Sequence, residues 1–212
     1  SISTPLIGMG QDNLASFEPA FVDELSVLMK WGFWFMQDDK GSSIYLRLST
    51  KPIKQPDREI NEIESEIIAG AYWYCKPKYN SPIIIVYSGP IVTEVQKSLE
   101  IIREDIPEIG VLSITSTDML YKDWANNSIN SHISKLLSKV SKDCIIITVI
   151  DGYSASLAWI GSVKGNKVFS LGVDKFGQSG DTIDLYKEHK IDSDAIIDAT
   201  ANRMGIGKEK VM

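Results

Sequence analysis

Four apolar runs set what this chain can fold into. Ile83-Ile84-Ile85-Val86-Tyr87, Ile109 to Ile114, Cys144 to Ile150 and Val168 to Val173 each run five to seven residues without a charge. Such runs lack the polar alternation of a half-exposed strand, so they read as strands buried on both faces. Helical sequence separates them. Val92, Val95, Leu99 and Ile102 share one side of the stretch from Ile91 to Glu104, with Pro90 at its first position. Thr115-Ser116-Thr117-Asp118 caps a helix over Met119 to Ala125, and Ile129, Ile133, Leu136, Leu137 and Val140 mark Ser128 to Ser141 as helical. A further helix opens at Asp151-Gly152-Tyr153-Ser154, and Asp192 or Ser193 caps the last, to Arg203. Strands alternating with helices in this way require parallel strands with crossover helices on both faces. From Ala71-Tyr72-Trp73-Tyr74-Cys75 onward the expected fold is therefore an α/β, three-layer αβα sandwich with a mostly parallel sheet.

Within it, Val168 to Val173 reads as an interior strand. The loop Asp174 to Asp181 follows at the carboxyl edge of the sheet, where α/β proteins place their sites. Gly177 and Gly180 allow it to turn, and Ser179 or Asp181 can cap the next helix.

Residues ahead of this sheet read differently. The first sixteen carry Pro5, Gly8, Gly10, Asp12 and Asn13, a loop composition. From Pro19 to Gln37 the residues Phe21, Val22, Leu25, Leu28, Met29, Gly32, Phe33 and Met36 fall at helical spacing, with Glu18, Asp23 and Glu24 as negative charge at the amino end. Ile44 to Leu48 is a strand whose one charge is Arg47, and Lys51 to Arg58, with Pro52 and Pro56, reads as a linker. One helix and one strand are too little for a domain, so residues 1–56 look like the tail of one whose beginning is absent. The chain starts at Ser1 rather than Met, in keeping with a fragment.

A net charge of −6 with dispersed Lys and Arg gives no electrostatic footprint for nucleic acid or an anionic membrane. Cys75 and Cys144 are far apart in apolar surroundings, which reads as two reduced thiols in a cytoplasmic protein. His132 reads as a surface residue and His189 as a helix-terminal one; neither stands at a metal-ligand spacing. No phosphate-binding glycine signature is present, and no nucleophile with a neighbouring base can be assembled.

Asp174-Lys175-Phe176-Gly177-Gln178-Ser179, followed by Leu185 to Asp192, resembles the C-terminal domain of the transketolase-like thiamine diphosphate enzymes. Four more stretches agree in order with that family: Glu18-Pro19-Ala20-Phe21, Tyr45 to Pro52, Gly70 to Cys75, and Ser113 to Ser116. Within the family, Leu112 to Thr117 and Thr148 to Tyr153 look most like the homodimeric decarboxylating component of pyruvate dehydrogenase.

The resemblance implies that residues 1–56 are the remnant of a pyrimidine-binding domain plus linker, and residues 57–212 the C-terminal αβα domain. It implies thiamine diphosphate and magnesium in the full-length enzyme. None is expected on this chain alone, because the Gly-Asp-Gly motif that holds them in the family occurs nowhere here. It implies homodimerisation, contact with the remaining N-terminal part, and acyl transfer to a lipoyl-bearing acyltransferase. Asp174, Phe176, Gly177, Ser179 and His189 are its candidates for an interface or site-facing loop. Transketolases proper carry a phosphate-gripping arginine after the Leu-Ser that closes the pyrimidine-domain strand; here Leu48-Ser49 is followed by Thr50 and then Lys51. Thr50 and Lys51 are thus the substrate-side candidates, and the missing guanidinium fits an unphosphorylated 2-oxo acid better than a sugar phosphate. A transketolase C-terminal region, or a non-catalytic interaction domain of the same fold, are the alternatives.

Overall fold

The computed structural model describes residues 2–78, 80–175 and 179–205. Its main sheet has five strands: β3 (Ala71–Cys75), β4 (Ile83–Ser88), β5 (Gly110–Ile114), β6 (Ile145–Ile150) and β7 (Val168–Leu171), in spatial order β3-β5-β4-β6-β7. Strands β4 to β7 pair in parallel and β3 lies antiparallel on the β5 edge. The expected three layers are present. Ile83, Ile85 and Tyr87 of β4 point to one face, among Val92, Val95, Leu99 and Ile102 of α4 (Val92–Asp105) and residues of α8 (Thr182–Glu188) and α9 (Ser193–Met204). Ile84 and Val86 point to the other face. There they meet Leu120 of α5 (Thr117–Asn127), Ile133 of α6 (His132–Leu136) and Leu157 of α7 (Ala155–Ala158). The period of two in a run that is apolar throughout is what fills both cores from one strand.

Ser116 caps α5, its side chain accepting from Met119 N at 3.2 Å, and Asp192 caps α9 through Ala195 N at 3.3 Å. Among the described residues no helix is long and apolar enough to cross a membrane.

Ahead of the sheet, two features depart from the sequence reading. The stretch taken for loop contains α1 (Thr4–Gly10) and β1 (Leu14–Phe17), the latter pairing in parallel with β2 (Ser43–Leu46). Pro5 stands in the first turn of α1, where a missing N–H costs nothing. Strand β1 is only four residues long, too short for its inward Ala15 and Phe17 to announce an alternation. The second departure concerns α2 (Val22–Phe35), which turns a different face inward. Glu24, Val27, Leu28 and Gly32 are buried, whereas Val22, Phe33 and Trp34 are 61%, 57% and 63% exposed. Trp31 stacks on Phe35 at 4.5 Å, meets Phe17 edge-on at 5.5 Å, and belongs to the buried stripe. Short helix α3 (Glu64–Ile68) brings Ile67 beneath them.

Strand β7, expected in the interior, is instead the sheet's far edge. Phe169 is 37% exposed, with the Arg203 guanidinium lying over its ring. An apolar run of four residues does not distinguish a central strand from an edge covered by a cation's stem. His132 is half-buried rather than on the surface, its Nε2 2.7 Å from the Ala71 carbonyl.

Candidate functional site

The order β5-β4-β6 contains a reversal, since the chain passes from β4 to β5 on one side and returns to β6 on the other. In doubly wound sheets the crevice at the carboxyl ends of the two strands flanking that reversal is where ligands are placed. Here it lies between Ser88-Gly89-Pro90 after β4 and Asp151 after β6. Two side chains from the first fifty residues reach into it. Arg47, just beyond β2, donates through Nη1 to the Glu18 carboxylate and through Nη2 to the Asp151 carbonyl at 2.7 Å. On the other side the Tyr186 hydroxyl of α8 donates to Asp151 Oδ2 at 3.1 Å. The remaining hollow, about 230 Å³, is lined by Glu18, Arg47, Thr50, Pro90 and Asp151.

Local backbone explains why Glu18 sits there. Its N–H donates to the Thr115 carbonyl at 2.7 Å, which hangs the end of β1 on the β5–α5 turn. Gly89 makes the room, with φ at +68° and a space that a Cβ would fill at 2.3 Å from Glu18 Oε1. Gly89→Ala is therefore expected to lose about 2 kcal/mol in thermal unfolding, through left-handed strain plus displacement of the carboxylate. A loss under about 0.5 kcal/mol would mean that the crevice is roomier than described.

Burial pushes the Glu18 carboxyl up from 4.5 to about 7, and nearby Asp151 adds to the rise, while Arg47 pulls the other way without prevailing. A carboxyl poised there can give or take a proton near neutrality. The linkage has a definite sign. A folded-state value above the unfolded one contributes stability that is complete below about pH 4.5 and lost as pH rises through about 7. The native chain is expected to lose up to about 3 kcal/mol across that window relative to Glu18→Gln. Urea unfolding of both at several pH values measures it; parallel profiles would refute it.

The sequence-predicted candidates are only partly brought together. Thr50 lines the crevice. Lys51 is beside it but engaged: Nζ donates to Thr93 Oγ1 at 2.7 Å, lies 3.6 Å from Glu94 Oε1, and sits 4.8 Å over the Tyr186 ring. Asp174 accepts from Ser154 N at 3.3 Å, tying the loop after β7 to the start of α7. Ser179 is exposed, and His189 closes α8 with its N–H on the Leu185 carbonyl at 2.9 Å. Phe176 and Gly177 lie outside the described residues. Glu18, Arg47, Asp151 and Tyr186 were not singled out as site residues. Thr50 pointed here by resemblance, and Arg47, the one charge in its apolar run, is the feature of the sequence that marks the rest of the site.

The crevice does not fit thiamine diphosphate and its metal. Its two carboxylates are already answered by Arg47 and Tyr186, leaving no surplus positive charge for a diphosphate. Among the described residues no group of three His, Cys, Asp or Glu side chains could hold a metal ion.

What the fold defines, then, is a doubly wound α/β unit whose crevice is plugged by a preceding segment. The profile of the Transketolase-like TK C-terminal domain matches residues 70–192, more than half of the sequence, and the chain belongs to that family. Solved structures agree in fold. A transketolase variant from Pichia stipitis superposes with a TM-score of 0.72 at 19% identity, covering 99% of this chain and 28% of that one. Transketolase from Leishmania mexicana gives 0.65 at 13%, covering 93% and 26%. A split-gene transketolase described as an inactive beta4 tetramer gives 0.65 at 12%, covering 98% and 62%. The chain thus spans less than a third of the length of the first two. No curated protein matches it in sequence.

Proposed function

We propose that this chain is the C-terminal part of a thiamine-diphosphate-dependent 2-oxo acid decarboxylating component, acting on pyruvate in the cytoplasm. Residues 1–56 would then be the end of its pyrimidine-binding domain and residues 57–212 its C-terminal domain. Cofactor and magnesium would be held by the rest of a longer protein, and a lipoyl-bearing acyltransferase would receive the acyl group. This chain's own share is subunit packing with a second copy, to which the outward apolar face of α2, Asp174 and Ser179 of the loop after β7, and His189 at the end of α8 would contribute.

The observation that carries the choice of substrate is the engagement of both cations beside Thr50. Arg47 is committed to Glu18 and the Asp151 carbonyl, and Lys51 to Thr93 and Glu94. Gripping a sugar phosphate would mean stripping one of them from a buried carboxylate, whereas pyruvate, with a single charge and no phosphate, asks less of them.

The test is to recover the native protein from source-cell extract with an antibody raised against this chain. Supplied with thiamine diphosphate and magnesium, it is expected to release carbon dioxide from pyruvate. Ketol transfer between sugar phosphates without decarboxylation would overturn the reading. A strictly monomeric particle in sedimentation would count against the packing role.

A further inference from the structure

On the opposite side of the sheet from α4, a groove of about 700 Å³ runs between the end of β3 and the segment around α6. That volume is in the range of sites for nucleotide-sized ligands. One wall carries Trp73, Lys76 and Pro77; the other carries His132, Lys135, Leu136 and Lys139. It continues past Pro77 and Lys139 into a second hollow of about 270 Å³ lined by Lys78. In a chain of net charge −6, this concentration of positive charge runs against the average.

Lys76, Lys78, Lys135 and Lys139 are exposed, and three observations bear on what they can hold. First, Lys76, Lys78, Lys135 and Lys139 enter no ion pair among the described residues, whereas Lys51, Lys97 and Lys122 do. Glu66 is the one acid that lines the groove. Second, the rings in both walls are held. The Trp73 indole donates to the Leu136 carbonyl at 3.3 Å, which fixes the ring, and His132 Nε2 is held on the Ala71 carbonyl. Third, the far wall is pinned from behind although it follows no strand. Lys164 Nζ donates to the carbonyls of Leu137, Ser138 and Val140, and Asn166 Nδ2 to those of Ser141, Lys142 and Cys144. Unpaired cations on a pinned stretch of backbone, beside a fixed aromatic ring, suit an anion with a flat body.

We propose that this groove binds an organic polyphosphate of nucleoside di- or triphosphate size. Lys135 on α6 and Lys139, in the tighter turn that follows it, take the phosphates together with Lys76. The Trp73 ring and Leu136 pack the planar part. Lysines suit phosphate as point charges, and an apolar wall beside them separates a nucleotide from a bare anion.

Calorimetric titration of the full 212-residue chain with ATP, inorganic pyrophosphate and polyglutamate tests this at two salt concentrations. ATP is expected to bind, more tightly than pyrophosphate and less tightly at high salt. Lys135→Glu/Lys139→Glu is expected to weaken ATP by at least about tenfold and Trp73→Leu by about threefold, with Lys30→Glu on α2 unchanged. Circular dichroism checks that each variant is folded. Lys164→Met, which frees the wall but leaves every lining side chain in place, is expected to weaken ATP as well. No heat with ATP up to millimolar concentration, or equal binding by the charge-reversed variant, would overturn the proposal. Pyrophosphate binding as tightly as ATP would overturn the role of the ring. Polyglutamate binding without ATP binding would overturn it too, by assigning the groove to an acidic polypeptide.

Discussion

Arg47→Met is expected to lower the unfolding free energy by about 3 kcal/mol at pH 8, at the lower end of what breaking a buried ion pair costs because Arg47 keeps partial contact with water. The loss has two sources. Glu18, buried next to Asp151, is left without its counter-charge, and the Asp151 carbonyl loses its donor. Because a carboxyl in that position can escape by taking a proton, the cost is expected to shrink at pH 5. Arg47→Lys restores the charge but not the fork that reaches two acceptors at once, so it should fall between wild type and Arg47→Met. Urea unfolding of the three proteins at both pH values is the measurement. A loss of less than about 1 kcal/mol at pH 8 would mean that the pair is solvated and that the crevice is not sealed by it.

That pair is one of three stitches made by a single stretch of chain. Residues 47–58 carry two prolines and include the stretch from Lys51 that reads as a linker, yet three of their four cations meet buried or half-buried carboxylates on different elements. Arg47 meets Glu18 beyond β1, Lys51 meets Glu94 on α4, and Arg58 meets Asp23 and Glu24 on α2. Gln55 adds a hydrogen bond from Val22 N at 2.8 Å. Without regular secondary structure, the stretch is held by side chains rather than by a ladder, which is why composition alone presents it as a tether. The prolines keep it extended, and an extended chain spaces its cations far enough apart to reach three elements.

The same contrast decides what was legible beforehand. Strands β4 and β6 were plain in the sequence, because wholly apolar runs bounded by helical stretches leave little choice of layer. Strand β7 was recognised but misplaced, since its neighbours in the sheet are not written in its own residues. In α2 the aromatic pairs Trp31/Phe35 and Phe33/Trp34 offer two rival stripes. The deciding fact, that Glu24 goes inward, looks in sequence like an ordinary charge at a helix start. The crevice was hidden for a different reason. Glu18, Arg47, Asp151 and Tyr186 are scattered along the chain and meet only once the sheet reverses its winding. The capping residues Ser116 and Asp192 were legible because a cap acts within three residues of itself.

Glu24→Ala is expected to cost more than Arg47→Met, about 4 kcal/mol, because its carboxylate serves four donors in a dry place. It accepts from Ala20 N at 2.6 Å, Phe21 N at 3.2 Å, the Tyr72 hydroxyl, and Arg58 Nη2 at 3.5 Å. Removing it orphans the two backbone N–H groups at the start of α2, which nothing else in the capping arrangement can reach. Burial raises the Glu24 carboxyl, and the hydrogen bonds and Arg58 oppose that rise. Tyr72 is raised in turn, by burial first and by Glu24 next, so the hydroxyl stays a donor at neutral pH. A double-mutant cycle separates charge from capping. If the ion pair dominated, Glu24→Leu/Arg58→Met would recover most of the stability, as apolar replacements of buried pairs often do. If the backbone donors dominate, as the short Ala20 contact indicates, the double variant stays at least about 2 kcal/mol below wild type. A Glu24→Ala loss under about 1.5 kcal/mol would mean that water enters and caps the helix in its place.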